Sequence, residues 1–249
     1  MTHTLLLELF TEELPPKALS RLGDSFAHLI REGLASRGFL DTATTATAYA
    51  TPRRLAVKLN SVRSASPDKA IREKVLPVNV ALDQDGQPTA PLQKKLAALA
   101  VQVGRSSITL AELERANDGK AESFFFSYMA PGQPLATGLQ SVLDESITKL
   151  PIPKVMSYQR PDGVTVQFVR PVHGLMALLD DQIVPLRALG LASGRTTLGH
   201  RFLSAQTTLT VASANQYEDV LREQGKVIAS FEERKQKIQQ DLLEAAGDD

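Results

Sequence analysis

The sequence predicts an α+β fold. Strand-like and helix-like segments intermix without the regular alternation that builds a doubly wound sheet. The stretch up to Val62 already reads as a β-α-β-β unit. A double-proline segment, Pro151-Ile152-Pro153, then sets off a second mixed region, so 1–150 and 151–249 are expected to form two α+β subdomains.

Each element has its own justification. Thr4 to Phe10 is a short leucine-rich strand, stopped by Thr11-Glu12-Glu13-Leu14-Pro15-Pro16. Those prolines suit a first helical turn, where a missing N–H is not needed. Leu19, Leu22, Phe26, Leu29, Ile30 and Leu34 recur at helical spacing as one buried stripe, with Gly38 as the C-terminal cap. A threonine-rich strand from Thr42 to Ala50 breaks at Thr51-Pro52. Arg54 to Val62 then alternates, with Leu55, Val57 and Leu59 on one face. Ser64 to Asp68 is loop. Asp83-Gln84-Asp85-Gly86 is a tight turn that starts like a calcium loop but lacks the rest of the ligand series. Leu92, Leu96 and Leu99 mark a helix, and Asn117-Asp118-Gly119 turns into an aromatic strand from Glu122 to Ala130. Leu135, Leu139, Val142, Leu143 and Ile147 make a further amphipathic helix.

Beyond the double proline, Pro161-Asp162-Gly163 turns into a strand from Val164. Strands Leu175 to Leu179 and Ile183 to Leu189 are joined by Asp180-Asp181-Gln182, and Gly190 to Gly199 reads as a flexible polar connection. Thr207 to Val211 is a strand and Asn215 to Glu223 a short helix. Ser230 and Glu233 form a capping box that starts a charged helix with Ile238 and Leu242 on one side. Phe26, Leu29, Leu55, Val57, Phe126 and Leu139 are expected to be buried.

Composition excludes more than it selects. Fractions of 43% hydrophobic and 22% charged are ordinary for a globular chain. No apolar run approaches the roughly 18 residues of a membrane helix. Leu5 to Leu7 is interrupted by Glu8 and has no basic flank, so it is no signal peptide and the cytoplasm is the expected location. The absence of cysteine removes disulfides, thiolate catalysis and cysteine-held metals. His3, His28, His173 and His200 have no metal-motif spacing, so no metal site is expected. The 28 basic and 28 acidic side chains cancel, which argues against a nucleic-acid surface unless charge is segregated on one face.

No dinucleotide fingerprint, phosphate loop or nucleophile elbow occurs. Glu12 and Glu13 are adjacent in an extended segment and would face opposite ways. They are read as first-turn acids that complement a helix dipole. Basic and ring residues gather in three loop-like places: Pro52-Arg53-Arg54; Lys154 with Tyr158, Arg160, Arg170 and His173; and Arg195, His200, Arg201 and Phe202. Guanidinium forks suit phosphate oxygens, and rings stack on unpaired bases. The plainer reading leaves these arginines solvated or paired with carboxylates such as Glu12 or Asp180. No residue is assigned a catalytic role, because His173 and His200 lack a nucleophile or orienting carboxylate at a recognisable spacing.

Five blocks, in order, carry a resemblance. They are Thr11-Glu12-Glu13-Leu14-Pro15-Pro16-Lys17-Ala18-Leu19; Ala50-Thr51-Pro52-Arg53-Arg54-Leu55-Ala56; Lys149 to Lys154 with Phe168-Val169-Arg170-Pro171-Val172-His173; Gly199-His200-Arg201-Phe202; and Tyr217 through Arg234. Together they resemble the N-terminal part of the β subunit of the bacterial two-subunit glycyl-tRNA synthetase. Two segments depart from the family pattern: Ser157-Tyr158 stands where an Arg-Trp pair is usual, and the match is loose between Lys74 and Leu92.

The resemblance implies a class II glycine–tRNA ligase whose α subunit carries the catalytic site and uses ATP with magnesium. The β subunit would supply tRNA binding and assembly, with two α and two β subunits and tRNA(Gly) as partners, and neither membrane nor DNA. The fragment alone would be inactive and hold no cofactor, and its final helix would continue towards an HD-like and an anticodon-binding domain. Arg53, Arg54, Lys154, Arg170, His173, His200 and Arg201 are then the tRNA-binding candidates. Two readings compete: a stand-alone enzyme with a site around Arg170, His173, His200 and Arg201, and a purely structural assembly domain.

Overall fold

The structure is a computed structural model and describes residues 2–117, 119 and 121–247. It is α+β, with several small sheets. The chain forms two compact units. One runs up to Ser66 and resumes at Gln133; the other is Pro67–Gly132.

The first unit begins with the expected β-α-β-β: β1 (His3–Thr11), α1 (Leu19–Ser36), β2 (Ala46–Thr51) and β3 (Arg54–Val62). The second unit holds β4 (Lys69–Pro77), α2 (Val78–Ala81), α3 (Ala90–Gln102), β5 (Glu114–Asn117) and β6 (Glu122–Ala130). The chain returns with α4 (Leu135–Lys149), β7 (Met156–Gln159), β8 (Thr165–Phe168), β9 (Val172–Leu179) and β10 (Gln182–Ile183). Four short strands follow: β11 (Arg187–Ala188), β12 (Leu191–Ala192), β13 (Thr196–Leu198) and β14 (Thr208–Thr210). A run of helical turns containing α5 (Tyr217–Asp219) leads to α6 (Phe231–Ala246).

The central sheet of the first unit is antiparallel, in the order β10-β9-β1-β3-β2. Leu7 stands opposite Val57 on one side and Ala177 on the other. This sheet corrects the expected division at 150/151, because β9 lies directly against β1. Pro151-Ile152-Pro153 only ends α4. The true interruption is the segment 67–132.

Both faces of the sheet are covered, which explains the consecutive leucines 5–7 of β1. One face carries Leu5, Leu7, Leu9, Leu55, Val57 and Leu59 against Leu22, Phe26 and Ile30 of α1 and Leu139 and Val142 of α4. The two helices approach closely at Gly33, where an added Cβ would sit 2.6 Å from a Val142 methyl. The other face carries Leu6, Tyr49, Ala56, Met176 and Leu178 beneath Leu209, Val211, Tyr217 and Leu221. Of the residues expected to be buried, only Leu29 is partly exposed. Phe126 is buried in the second unit, with Leu92, Leu96 and Leu99.

Other differences have local causes. β2 starts at Ala46 rather than Thr42, because Asp41 accepts from Ala43 N–H (3.0 Å) and closes a turn there. The expected strand Ile183 to Leu189 is split around Pro185, which has no N–H for a ladder. The polar stretch 190–199 holds two strands and a buried Thr197. Strands β4 and β5 lie where none was expected. At Ser230 only half the capping box forms: its Oγ accepts from Glu233 N–H, while the Glu233 carboxylate takes Arg222 instead. The turn expected at Asn117-Asp118-Gly119 includes Asp118, which lies outside the described residues. Among the described residues, no helix is long and apolar enough to cross a membrane.

Candidate functional site

The tight link between β2 and β3 places two arginines over the end of β1. Thr11 N–H donates to Arg53 O at 2.8 Å and Leu14 N–H to Pro52 O at 2.6 Å. The Arg53 and Arg54 guanidinium carbons lie 4.9 and 5.4 Å from the Phe10 ring centre. The loop after β13 brings in Gly199 to Phe202, the segment before α6 brings in Lys226 to Ile228, and the first turn of α6 brings in Arg234. Together these enclose a cavity of about 470 Å3. Its charged walls are Arg53, Arg54, Arg201, Lys226 and Arg234, with His200, and Glu13 is the one acid among the described residues that line it. A chain of zero net charge therefore has a cleft with a local excess of positive charge, although Glu8 and Glu12 behind its wall offset part of it.

The cations are not equivalent. Arg54 is committed to the interior: it is 2% exposed, its Nε lies 3.2 Å from Glu8 Oε2, and its Nη2 donates to Leu198 O at 2.5 Å. Arg53 lies 3.5 Å from Glu12. Arg234 donates to Ala50 O (2.7 Å) and Ile228 O (2.9 Å) and has no carboxylate partner among the described residues. Burial first, and the charge of Arg54 second, lower its pKa from the ordinary guanidinium value. The Arg201 and Lys226 side chains are exposed, with no hydrogen bond or ion pair among the described residues.

Of the seven sequence-derived candidates, Arg53, Arg54, His200 and Arg201 line this cleft. Arg170 and His173 do not. His173 Nε2 lies 2.9 Å from Glu12 Oε1, and Arg170 donates to Glu13 O and Val169 O, both at 2.9 Å. Arg170 thus clamps main chain, and neither it nor Arg201 reaches a carboxylate among the described residues. Lys154 is exposed and is not among the cleft residues. Glu12 and Glu13 also depart from expectation: α1 has no acid in its first turn, and Glu12 instead serves Arg53 and His173. Asp180, the other expected partner, pairs with His3.

Sequence reasoning missed Lys226 and Arg234 as cleft residues, and Glu8 altogether. Arg234 reads as one more charge on a solvated helix. Lys226 follows Gly225 inside the Tyr217–Arg234 block, but its place in the cleft and its backbone φ of 55° are visible only in three dimensions. Glu8 is 1% exposed and fully engaged: Thr197 donates to one oxygen at 2.5 Å, while Tyr217 donates to the other beside Arg54. Burial first, then the Glu8 charge, push the Tyr217 pKa well up. No reactant could reach this carboxylate, so its role is to hold β1, β3, β13 and α5 together.

Residues 5–249 match the family described as Glycyl-tRNA synthetase beta subunit. The chain is 57% identical over 246 residues to the glycine–tRNA ligase beta subunit of Ralstonia nicotianae, covering 99% of this chain and 35% of that protein. It is 51% identical over 249 residues to that of Acidovorax ebreus, covering 99% and 34%. It is 46% identical over 242 residues to that of Nitrosomonas eutropha, covering 97% and 33%. The chain spans about a third of the length of these curated relatives.

Proposed function

The chain belongs to the glycyl-tRNA synthetase beta subunit family, and on that premise we propose that it contributes tRNA binding and subunit assembly to the ATP-dependent attachment of glycine to tRNA. The adenylate chemistry, with its ATP and magnesium, is assigned to an α partner in a complex of two α and two β subunits working in the cytoplasm. The observation that carries the tRNA part is the cleft, where Arg201, Lys226 and Arg234 have no carboxylate partner among the described residues, beside Arg53, which lies 3.5 Å from Glu12, and Arg54, whose charge is met by Glu8. Phosphodiester oxygens suit such a wall, and the affinity would arise from charge neutralisation.

The Arg170, His173, His200, Arg201 alternative, a stand-alone enzyme, has little support. His173 is turned to Glu12 and His200 is engaged by its own loop, so the four residues do not converge on one reacting point.

Titrating this chain with tRNA(Gly) at several salt concentrations tests the proposal. Arg201→Ala should weaken binding, lower the salt slope by about one ion, and leave the melting temperature unchanged. Salt-independent binding, or none, overturns it. The division of labour has its own check: glycine-dependent exchange of pyrophosphate into ATP should require α, and exchange by this chain alone would refute it.

A further inference from the structure

The cleft has an aromatic rim that a surface for duplex backbone does not need. Phe202 is 83% exposed and Leu203 is 65% exposed, at the tip of the loop between β13 and β14. Exposed large apolar side chains on a loose loop would mean little, but this loop is pinned. His200 N–H donates to Gly225 O at 2.7 Å, Ser204 N–H donates to His200 O at 3.1 Å, and Ser204 Oγ donates to Gln224 O at 3.0 Å. Gly199 packs on the Gly225 backbone so tightly that an added Cβ would fall 2.8 Å from its Cα. The ring is therefore presented on a fixed support.

His200 adds direction. Its Nδ1 accepts from Phe202 N–H at 3.2 Å and from Leu203 N–H at 3.1 Å, and its ring meets Phe202 edge-on, 6.2 Å between centres. Nε2 is then the protonated nitrogen of the neutral ring, a donor with no partner among the described residues. Across the cleft, Lys226 holds a left-handed backbone, with φ of 55°, which a lysine adopts only at a cost.

The geometry points to a site for one unpaired nucleotide of an RNA strand, its base stacked on Phe202 and its phosphate held by Arg201, Lys226 and Arg53. This deepens the tRNA-binding reading above and rests on it. A rigid π-face beside cations, of which Arg201 and Lys226 have no partner among the described residues and Arg53 shares Glu12, is what single strands require, because every base can stack and every nucleotide brings one phosphate. In a duplex the base faces are stacked on one another and unavailable to Phe202. The cavity of about 470 Å3 is within the range of small-ligand sites. The crowding of Arg234 against Arg54, with no carboxylate on Arg234 among the described residues, leaves positive potential that a phosphate would neutralise.

The test compares a short single-stranded RNA, carrying a fluorescent base analogue, with a blunt RNA duplex of equal phosphate number. Both are titrated into the 249-residue chain and its variants. The wild type should prefer the single strand and quench the analogue. Phe202→Ala should weaken single-strand binding about tenfold and abolish quenching, with salt slope and melting temperature unchanged. Phe202→Tyr should restore both. Lys226→Gly, which accommodates the positive φ, should lower the salt slope by about one ion without loss of stability. Equal binding of duplex and single strand, with Phe202→Ala silent and Arg201→Ala weakening both, would overturn this site yet leave the tRNA reading standing. Absence of any RNA binding at low salt would remove both. Loss of α-subunit co-purification in Phe202→Ala, with RNA binding intact, would reassign the rim to a protein partner.

Discussion

The two faces of the central sheet are built on opposite principles. The face under α1 and α4 is purely apolar at its centre: leucines and valines from β1 and β3 meet Leu22, Phe26 and Ile30. The face under β14 and α5 also buries leucines, but carries Glu8, Arg54, Thr197, Tyr49 and Tyr217 among them. Apolar packing is tolerant, since a lost methylene leaves a cavity of graded cost. A buried charge is not, because removing one partner strands the other in a low-dielectric interior. The sheet's apolar side therefore sets how stable the fold is. Its polar side fixes which loops sit where, and so holds the cleft.

The largest effects would break one face at a time. Phe26→Ala should cost about 3–5 kcal/mol in urea denaturation, as a well-packed cavity mutation. Glu8→Ala should match it, also about 3–5 kcal/mol, by leaving Arg54 buried without its charge partner. A Glu8→Ala protein as stable as wild type would erase the distinction between the faces. A sharper version replaces the pair: Glu8→Leu with Arg54→Met should recover much of that loss, whereas no second substitution near Phe26 has an equivalent lost partner to replace. Recovery in stability without recovery of RNA binding would separate the fold from the cleft.

Smaller effects follow. Tyr217→Phe keeps the ring against Tyr49, with centres 5.4 Å apart, but removes a donor to Glu8. The expected loss is about 1–3 kcal/mol, read from the same denaturation curves. At the edge of the polar face, burial opposes ionisation of Glu218, but hydrogen bonds from Lys58 and Tyr49 outweigh it and hold its pKa below the ordinary value. A depressed folded-state pKa gives stability that is present above the unfolded value, about 4.3. That stability is lost as pH falls through the folded value. Melting temperature should therefore fall more steeply below about pH 4.3 in the wild type than in Glu218→Gln. Parallel curves would mean the Lys58–Glu218–Tyr49 contact contributes nothing.

The same contrast explains what could be read from the sequence. The apolar face writes itself as periodicity: Leu55, Val57 and Leu59 alternate, and Leu22, Phe26 and Ile30 recur at helical spacing, so β1, α1, β3 and α4 were all legible. The polar face writes nothing local. Glu8 reads as an interruption in a leucine strand, and its partners lie at Arg54, Thr197 and Tyr217. The cleft was half legible. Arg53, Arg54, His200 and Arg201 stand out beside proline and glycine, whereas Lys226 and Arg234 join them only through chain folding. The short strands of the 182–198 stretch were blurred for a related reason. Their order depends on Ser193 Oγ, which donates to Val184 O (2.7 Å) and accepts from Leu186 N–H (2.8 Å), a bond no periodicity encodes.

Where the chain leaves the first unit and where it returns are stitched to each other. Ser66 N–H donates to Gln133 O and Gln133 N–H to Ser66 Oγ, both at 2.9 Å, and Leu135 N–H reaches Ser64 O at 2.8 Å. For the polymer this makes the segment 67–132 a closed loop with almost no span between its ends. Closing such a loop costs only about 0.6 kcal/mol more for each doubling of its length. Its length is therefore nearly free to drift, and a two- to four-residue turn in its place should leave the central sheet assembled. Chains that differ widely in this segment can share one host fold, and the host can accept a foreign module at the same stitch.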